Sequence, residues 1–327
     1  MIYFENEGNV FMLPIIYMVI PCYYEEDVLG ETAKRLKEKY LYLTNNGKIS
    51  EKSRILFVND GSKDKTWDII KNLNSADKMF TGISLSRNFG HQNAVLAGLM
   101  SCKDICDAAI SMDADLQDDI NAIDKMVDEF ISGSQIVYGV RSSRTTDTWF
   151  KRNTARFFYK FMKTLGADIV YDHADFRLMS RRVLEELSGF REYNMFLRGI
   201  MPMIGFKTST VTYERRERFA GKSKYSLKKM LLFALNGITS LSIKPLRFIA
   251  SFGFTLFLLS LFVLFYVLWG KFISKSELEI GWASIVCSIW MIGGLQIMFI
   301  GVIGEYIGKI YSEVKDRPKY IIEENLN

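Results

Sequence analysis

The chain has 327 residues, a formal net charge of +5, 49% hydrophobic residues and 24% charged residues. This length allows one large domain or two modest ones. The basic residues gather beside two long apolar runs rather than in a tail, which argues against a nucleic-acid-binding protein. Four cysteines without CxxC spacing and only two histidines argue against a zinc site.

Strands and helices alternate along the first 140 residues. Strands are predicted at residues 17–21, 55–58, 82–85, 108–112 and 136–140. Between them, apolar residues such as Leu29, Ala33 and Leu36 recur at helical spacing. This alternation predicts an α/β fold in which helices cover both faces of a mainly parallel sheet.

Polar sequences follow three of these strands, where ligands of such sheets bind. The densest is "MDADLQDD" (112–119), in which Asp113, Asp115 and Gln117 offer hard oxygen donors two residues apart. That spacing suits Mg²⁺ or Mn²⁺, although a solvated acidic turn is the alternative. We assign Asp118 and Asp119 to the start of the next helix, where acids are favourable.

Two further polar segments leave alternatives open. Asp60, in "NDGSKDKT" (59–66), can accept hydrogen bonds from a base or ribose, or the segment can simply cap the next helix. The arginines and lysines of residues 215–224 suit a phosphate clamp, but they also suit attraction to anionic lipid.

Two runs without charge dominate the C-terminal third. They cover 23 residues from 248 to 270 and 25 residues from 280 to 304, each long enough to cross a bilayer. Lysines and arginines flank the outer ends of both runs. The sequence therefore predicts a multi-pass protein of the inner or plasma membrane, with a cytoplasmic catalytic domain and both termini inside.

The motifs together resemble the inverting glycosyltransferases of family 2, which have the GT-A fold, and within them the polyprenyl-phosphate glycosyltransferases. That branch includes bactoprenol glucosyltransferases and dolichol-phosphate mannose synthase. The resemblance runs from Val19 to about Arg317 and departs from the family pattern at Tyr24, where asparagine is usual. A second departure follows Gln117, where a His-Pro or Asp-Pro pair is usual. The matching segments are "VIPCYYEE", "VNDGSKDKT", "LSRNFGHQNAVLAGL", "MDADLQDD", "YGVRSSR", "ADFRLMSRRV", "FLRG" and "YERRERFAGKSKYSLKKM".

The resemblance implies a binding site for the donor, a nucleotide sugar. Residues that would line the base and ribose are Pro21, Tyr23, Glu25 and Asp60. Asp113 would contact the nucleotide beside the divalent ion, which Asp115 and Gln117 would hold, so that Asp115 also counts as catalytic. The residues that would close on the donor diphosphate are Arg218, Ser223 and Lys224.

The resemblance also implies a reaction centre at Asp175 and Arg177, with the acceptor phosphate near Arg141, Arg152 and Arg198. Arg198 has an alternative role in a structural ion pair. A lipid monophosphate has a second pKa near ~6 and is largely ionised at neutral pH, so it needs no strong base. We therefore expect Asp175 mainly to orient the reactants, whereas a sugar hydroxyl as acceptor would need Asp175 as a base.

The combined prediction is a GT-A, Rossmann-like catalytic domain (1–225), interfacial helices (226–247), a two-helix transmembrane hairpin (248–304) and a cytoplasmic tail (305–327). The predicted reaction moves one hexose from a nucleotide sugar, UDP-glucose first, to undecaprenyl phosphate, for cell-envelope glycan modification. UDP-N-acetylglucosamine and GDP-mannose are alternative donors, and a polysaccharide synthase or a non-catalytic scaffold are alternative functions. The resemblance also implies a tetramer.

Overall fold

The structure is a computed structural model, and it describes residues 5–6, 9–10, 12–141, 173–192, 197–214, 246–255, 258, 262 and 282–326. The chain divides into two compact units. One comprises Met1–Tyr159, Asp168–Ser226 and Arg317–Asn327, and the other comprises Lys160–Ala167 and Leu227–Asp316. The predicted domain boundaries stay a prediction.

The strands and helices of the described residues alternate through most of the first unit. The strands are β1 (Glu5–Asn6), β2 (Asn9–Val10), β3 (Ile16–Cys22), β4 (Arg54–Asn59), β5 (Phe80–Leu85), β6 (Ala108–Ser111), β7 (Ile136–Arg141), β8 (His173–Ser180), β9 (Thr208–Tyr213) and β10 (Ile322–Leu326). The helices are α1 (Leu29–Asn45), α2 (Thr66–Ala76), α3 (His91–Cys102), α4 (Ala122–Ile131), α5 (Arg181–Ser188), α6 (Leu197–Ile204) and α7 (Trp282–Val314). Residues 246–255 are also helical.

Eight strands form one mixed sheet in the order β10-β5-β4-β3-β6-β8-β7-β9. Neighbours β3, β4, β5 and β6 run parallel, as do β7 and β9. Strand β8 runs antiparallel to both β6 and β7. The predicted α/β fold with a mainly parallel sheet is therefore confirmed, and it is GT-A-like. The antiparallel direction brings the start of β8 to the edge where β6 and β7 end.

The sheet is buried on both faces, which explains the nearly continuous apolar run of β3. Ile16, Met18 and Ile20 point into a core with α1, α2 and α4, whereas Val19 points into a second core with α3 and α5. Leu36 of α1 is 0% exposed in the first core. Replacing such a leucine by alanine typically costs about 2–5 kcal/mol.

The C-terminal residues join this sheet, which the sequence did not predict. β10 pairs antiparallel with β5, placing Leu326 opposite Gly82. Glu324 of β10 also forms an exposed ion pair with Lys71 of α2 at 2.9 Å. The segment predicted as a tail thus ends as an edge strand that covers β5.

The prediction of a multi-pass membrane protein with two transmembrane helices is corrected by the structure. Among the helices of the described residues, none is both long and apolar enough to cross a bilayer. Most of the first predicted span lies outside those residues, and the second falls largely within α7. A run without charge need not be apolar throughout: residues 288–296 include a serine, two glycines and a glutamine.

Candidate functional site

The candidate site lies along one edge of the sheet. Strands β3, β4, β6, β7 and β9 all end there, and β8 begins there. The register sets Ser111 of β6 opposite Arg177 of β8, and the Ser111 hydroxyl donates to the backbone carbonyl of Asp175 at 2.8 Å. This pairing fixes Asp175 beside the acidic loop that follows β6.

Asp175 is held by two arginines. Arg198 of α6 donates from Nε to Oδ1 at 3.1 Å and from Nη2 to Oδ2 at 3.0 Å. Arg177 donates from Nη2 to Oδ1 at 2.5 Å. Arg177 is only 1% exposed, and its Nε and Nη1 have no hydrogen-bond partner among the described residues. The predicted alternative for Arg198, an ion pair, is thus present in the structure.

The charge state of Asp175 follows from these contacts. Burial by itself would raise the pKa of Asp175, but Arg198 and Arg177 outweigh it and hold that pKa well below its usual range. Asp175 is therefore ionised at any neutral pH, with both oxygens occupied by guanidinium groups. Such a carboxylate is well placed to orient groups and is a weak proton acceptor.

The acidic loop after β6 faces this pair. Asp113 lies with Oδ1 3.6 Å from Nε2 of His91. Displacement of water raises the pKa of Asp113; His91 opposes the rise, and the nearby charges of Asp175 and Asp115 add to it. Leu116 adopts a left-handed backbone, with φ +58°. This conformation is uncommon outside glycine and strained for leucine, as is frequent at functional sites.

The donor set of this loop fits a hard divalent cation. Asp115 is 9% exposed, and its Oδ1 accepts the backbone N–H of Gln117 at 3.2 Å, which closes a turn from Asp115 to Gln117. Within the described ranges, no group of three or more His, Cys, Asp or Glu side chains could hold a metal ion. Mg²⁺ often takes only one or two protein carboxylates, with its other ligands from water and substrate phosphates.

Two residues that the sequence analysis did not select complete this group. His91 begins α3, and its Nε2 lies 3.8 Å from Oδ2 of Asp175. Gln92 donates from Nε2 to the same oxygen at 3.4 Å, and its buried Oε1 has no partner in the part of the chain described. Two signals in the sequence could have found them: their place after β5, at the start of a helix whose strand ends at the same edge, and their position inside the matching segment "LSRNFGHQNAVLAGL".

Asp60 is held by two backbone amides of the loop after β5. Its Oδ1 accepts the backbone N–H of Phe89 at 2.7 Å and its Oδ2 accepts that of Gly90 at 3.1 Å. Burial raises the pKa of Asp60, and these two amides counteract the rise. The carboxylate is 2% exposed and fixes the loop that leads into His91. The predicted contact with a base or ribose stays a prediction.

The residues predicted to line the base lie after β3. Pro21 is buried, and Tyr23 is 37% exposed with its ring 4.6 Å from that of Tyr24. The Glu25 backbone N–H donates to Oγ1 of Thr66 at 3.1 Å. Tyr24 has φ +55°, a left-handed conformation that asparagine adopts more readily than tyrosine. Asparagine, which the family resemblance leads us to expect at this position, would adopt this conformation with less strain.

Arg141 ends β7 and lies near a buried carboxylate. Its Nη2 is 3.7 Å from Oδ1 of Asp118, and its Nε is buried without a hydrogen-bond partner among the described residues. Burial raises the pKa of Asp118 to about 6; Asp113 adds to the rise, and Tyr213 and Arg141 oppose it. Asp118 is 3% exposed, which corrects its assignment to a helix start, because α4 begins only at Ala122.

Four predicted site residues lie outside the described residues, namely Arg152, Arg218, Ser223 and Lys224. Their roles stay predictions. The described candidates fall into two neighbouring groups. Tyr23, Glu25 and Asp60 follow β3 and β4, whereas the acidic loop, Asp175 and its arginines lie at the ends of β6, β7 and β8.

Comparisons with known proteins agree with this architecture. The family "Glycosyl transferase family 2" matches residues 17–188. The uncharacterized glycosyltransferase YkoT of Bacillus subtilis (strain 168) is 54% identical over 315 residues, covering 96% of this chain and 92% of the relative.

Two further relatives have more specific names. The SfII prophage-derived bactoprenol glucosyl transferase of Shigella flexneri is 39% identical, covering 95% of this chain and 98% of the relative. The prophage bactoprenol glucosyl transferase homolog of Escherichia coli (strain K12) is 37% identical, covering 94% and 98%. The predicted resemblance is confirmed: the chain belongs to glycosyl transferase family 2 and is a glycosyltransferase.

Proposed function

We propose that this glycosyltransferase moves a single hexose, most simply glucose from UDP-glucose, to a polyprenyl phosphate with inversion at the anomeric carbon. The proposal is based on the contacts of Asp175. This carboxylate forms ion pairs with Arg177 and Arg198, and His91 lies between it and Asp113. Relatives named bactoprenol glucosyl transferase support both the sugar and the lipid acceptor.

The donor side of the site would be the acidic loop. Asp113, Asp115 and Gln117 would hold Mg²⁺ or Mn²⁺, and the bound ion would neutralise charge on the leaving nucleoside diphosphate. Leu116, which lies between Asp115 and Gln117, has a left-handed backbone that turns the chain within this loop. Tyr23, Glu25 and Asp60 would lie on the base side, and Arg218, Ser223 and Lys224 would contact the diphosphate.

The acceptor side favours a phosphate over a hydroxyl group. A phosphate monoester is already largely ionised at neutral pH, so the attacking oxygen needs no proton removed. Asp175 is paired with two guanidinium groups, and its pKa is held low, which makes it a poor general base. Asp175 would instead orient the arginines and the reactants. Holding reactants in the correct geometry can contribute a large part of an enzyme's rate acceleration.

Of the two predicted acceptor arginines that the structure describes, Arg141 is the one with a buried donor available for a ligand. Its buried Nε has no hydrogen-bond partner among the residues described, which is a costly state for a charged donor. A phosphate oxygen would satisfy that donor with a charge-assisted hydrogen bond. Arg198, by contrast, already spends two of its donors on Asp175.

A donor screen tests this function. The purified full chain is incubated with UDP-glucose, UDP-N-acetylglucosamine or GDP-mannose, with and without undecaprenyl phosphate, and release of UDP or GDP is measured in Mg²⁺ and in Mn²⁺. We expect release of UDP from UDP-glucose that requires both the lipid phosphate and a divalent ion. If UDP or GDP is released only from one of the other two donors, the transferred sugar is not glucose. If no donor releases a nucleotide, the chain is better explained as a binding scaffold.

A further inference from the structure

Asp118 is a buried carboxylate that joins the acidic loop to the last residues of β7 and β9. The Tyr213 hydroxyl donates to its Oδ1 at 2.5 Å, and Nη2 of Arg141 lies 3.7 Å from the same oxygen. Arg141 and Tyr213 are paired in the β7–β9 ladder, each as the last residue of its strand. One oxygen atom therefore faces the ends of two neighbouring strands.

The two distances show that Tyr213 and Arg141 interact with Asp118 in different ways. A donor and acceptor at 2.5 Å are hydrogen-bonded, so Tyr213 fixes the rotamer of Asp118. At 3.7 Å, Arg141 is too far for a direct hydrogen bond and is drawn to Asp118 by charge. The Tyr213 side chain is also near enough to the Arg141 guanidinium to interact with it electrostatically. Arg141 is thus oriented while its buried Nε has no hydrogen-bond partner among the described residues.

We propose that Asp118 is a positioning residue, which with Tyr213 holds Arg141 in the orientation from which its guanidinium receives the acceptor phosphate. The inference rests on the proposed function, because the acceptor phosphate is the proposed ligand of Arg141. It extends that function to two residues outside the predicted site, and it separates Arg141 from Arg198. Arg198 forms a forked ion pair with Asp175, whereas Arg141 has a buried Nε without a hydrogen-bond partner in the part of the chain that the structure describes.

The experiment measures binding of a short polyprenyl phosphate, farnesyl phosphate, by calorimetry to the full chain. The variants are Asp118→Asn and Tyr213→Phe. Asp119→Asn is the matched control, because Asp119 is the next residue and bonds with Asn121 in its own loop. We expect Kd for farnesyl phosphate to rise about 10-fold in both test variants, the equivalent of one charge-assisted contact. The control should match the wild type.

A double-variant cycle distinguishes positioning from a merely structural role. Asp118→Asn added to Arg141→Ala should raise Kd for farnesyl phosphate no further, because the residue that it positions is already gone. In Asp118→Asn, Kd for UDP-glucose should stay within about 3-fold of the wild-type value. This corresponds to a change of less than about 1 kcal/mol in the binding free energy. Additive effects in the cycle, or an unchanged Kd for farnesyl phosphate in both single variants, would overturn the inference.

Failure of the proposed function looks different. If the wild-type chain binds farnesyl phosphate and the variants bind it equally well, the positioning role is wrong while the lipid acceptor stands. If the wild-type chain binds no farnesyl phosphate, both are wrong. If Asp118→Asn does not fold, Tyr213→Phe, which removes only the hydroxyl that orients Asp118, decides the matter alone.

Discussion

Arg198 and Asp175 form a forked ion pair, with Nε 3.1 Å from Oδ1 and Nη2 3.0 Å from Oδ2. The pair links α6 to the start of β8, at the edge where the acidic loop lies. Because Arg177 occupies Oδ1 as well, little of the carboxylate is left to accept a proton. This relationship makes Asp175 an orienting group, and it can be tested in several ways.

Replacing Asp175 by asparagine should lower kcat by about 10–100-fold, because the amide keeps only part of the orientation of the arginines. Loss of a general base would cost more, up to ~10⁴-fold. Both substrates should still bind. The measurement is kcat with UDP-glucose and undecaprenyl phosphate, beside binding of each. Complete loss of turnover with both substrates bound would show that Asp175 acts as a base.

The pH dependence of stability should also report Asp175. Its pKa is lowered in the folded chain, from an unfolded value near ~3.9, so its stabilising contribution is fully present above that value. The contribution is lost as pH falls through the lower folded pKa. Urea unfolding should therefore show no Asp175-dependent change between about pH 5 and 8.

Below about pH 4, the free energy of unfolding should fall more steeply in the wild type than in Asp175→Asn, which lacks the titrating group. The comparison of the two unfolding curves cancels the other carboxylates. Parallel curves in acid, or a difference that first appears near neutral pH, would mean that the arginines do not hold this carboxylate in its charged form.

Asp60→Asn should destabilise the chain even without nucleotide. An amide can accept from only one side, so one of the Phe89 and Gly90 backbone amides would lose its partner. The expected loss is roughly 1–3 kcal/mol in the free energy of unfolding. Urea unfolding of the ligand-free chain measures it, and Asp104→Asn, at a side chain 80% exposed, is the control. No loss would mean that Asp60 serves only a ligand.

Gly61→Ala should be severe, because Gly61 has φ +65° and an added Cβ would lie 2.3 Å from the carbonyl carbon of Arg87. Left-handed strain and overpacking together cost about 3 kcal/mol. Gly30→Ala in α1 is a matched control, since an added Cβ there meets nothing within 4 Å. The control should gain about 0.5–1 kcal/mol. Equal unfolding midpoints for the two variants would contradict the close packing of Gly61 against the backbone of Arg87 in the loop after β5.

The spacing of apolar and charged residues predicted those parts of the fold that depend on neighbouring residues in the sequence. The apolar strand β3 and the amphipathic α1 follow from spacing, and Asp113 with Asp115 follows from charge placed after a strand. The antiparallel β8 did not follow, because its direction depends on pairing with β6 and β7 across the sheet. The absence of charged residues from the two C-terminal runs also led to the wrong prediction of two transmembrane helices.

Long-range contacts account for the rest of the site. Asp118 and Tyr213 are 95 residues apart in sequence, and Gln92 and Asp175 are 83 apart. Nothing near Asp118 in sequence distinguishes a helix-start acid from a buried one. The partners of Asp60 are backbone amides, which have no residue signature at all. Such roles emerge only when the strands are assembled.

The most direct test of the central claim is the product itself. The purified chain, UDP-glucose, Mg²⁺ and undecaprenyl phosphate are combined, and the lipid fraction is analysed by mass spectrometry while UDP is counted. We expect one hexose to be added to each lipid phosphate, with one UDP released for each. Lipids carrying several sugars, or UDP released with the lipid phosphate unchanged, would contradict it.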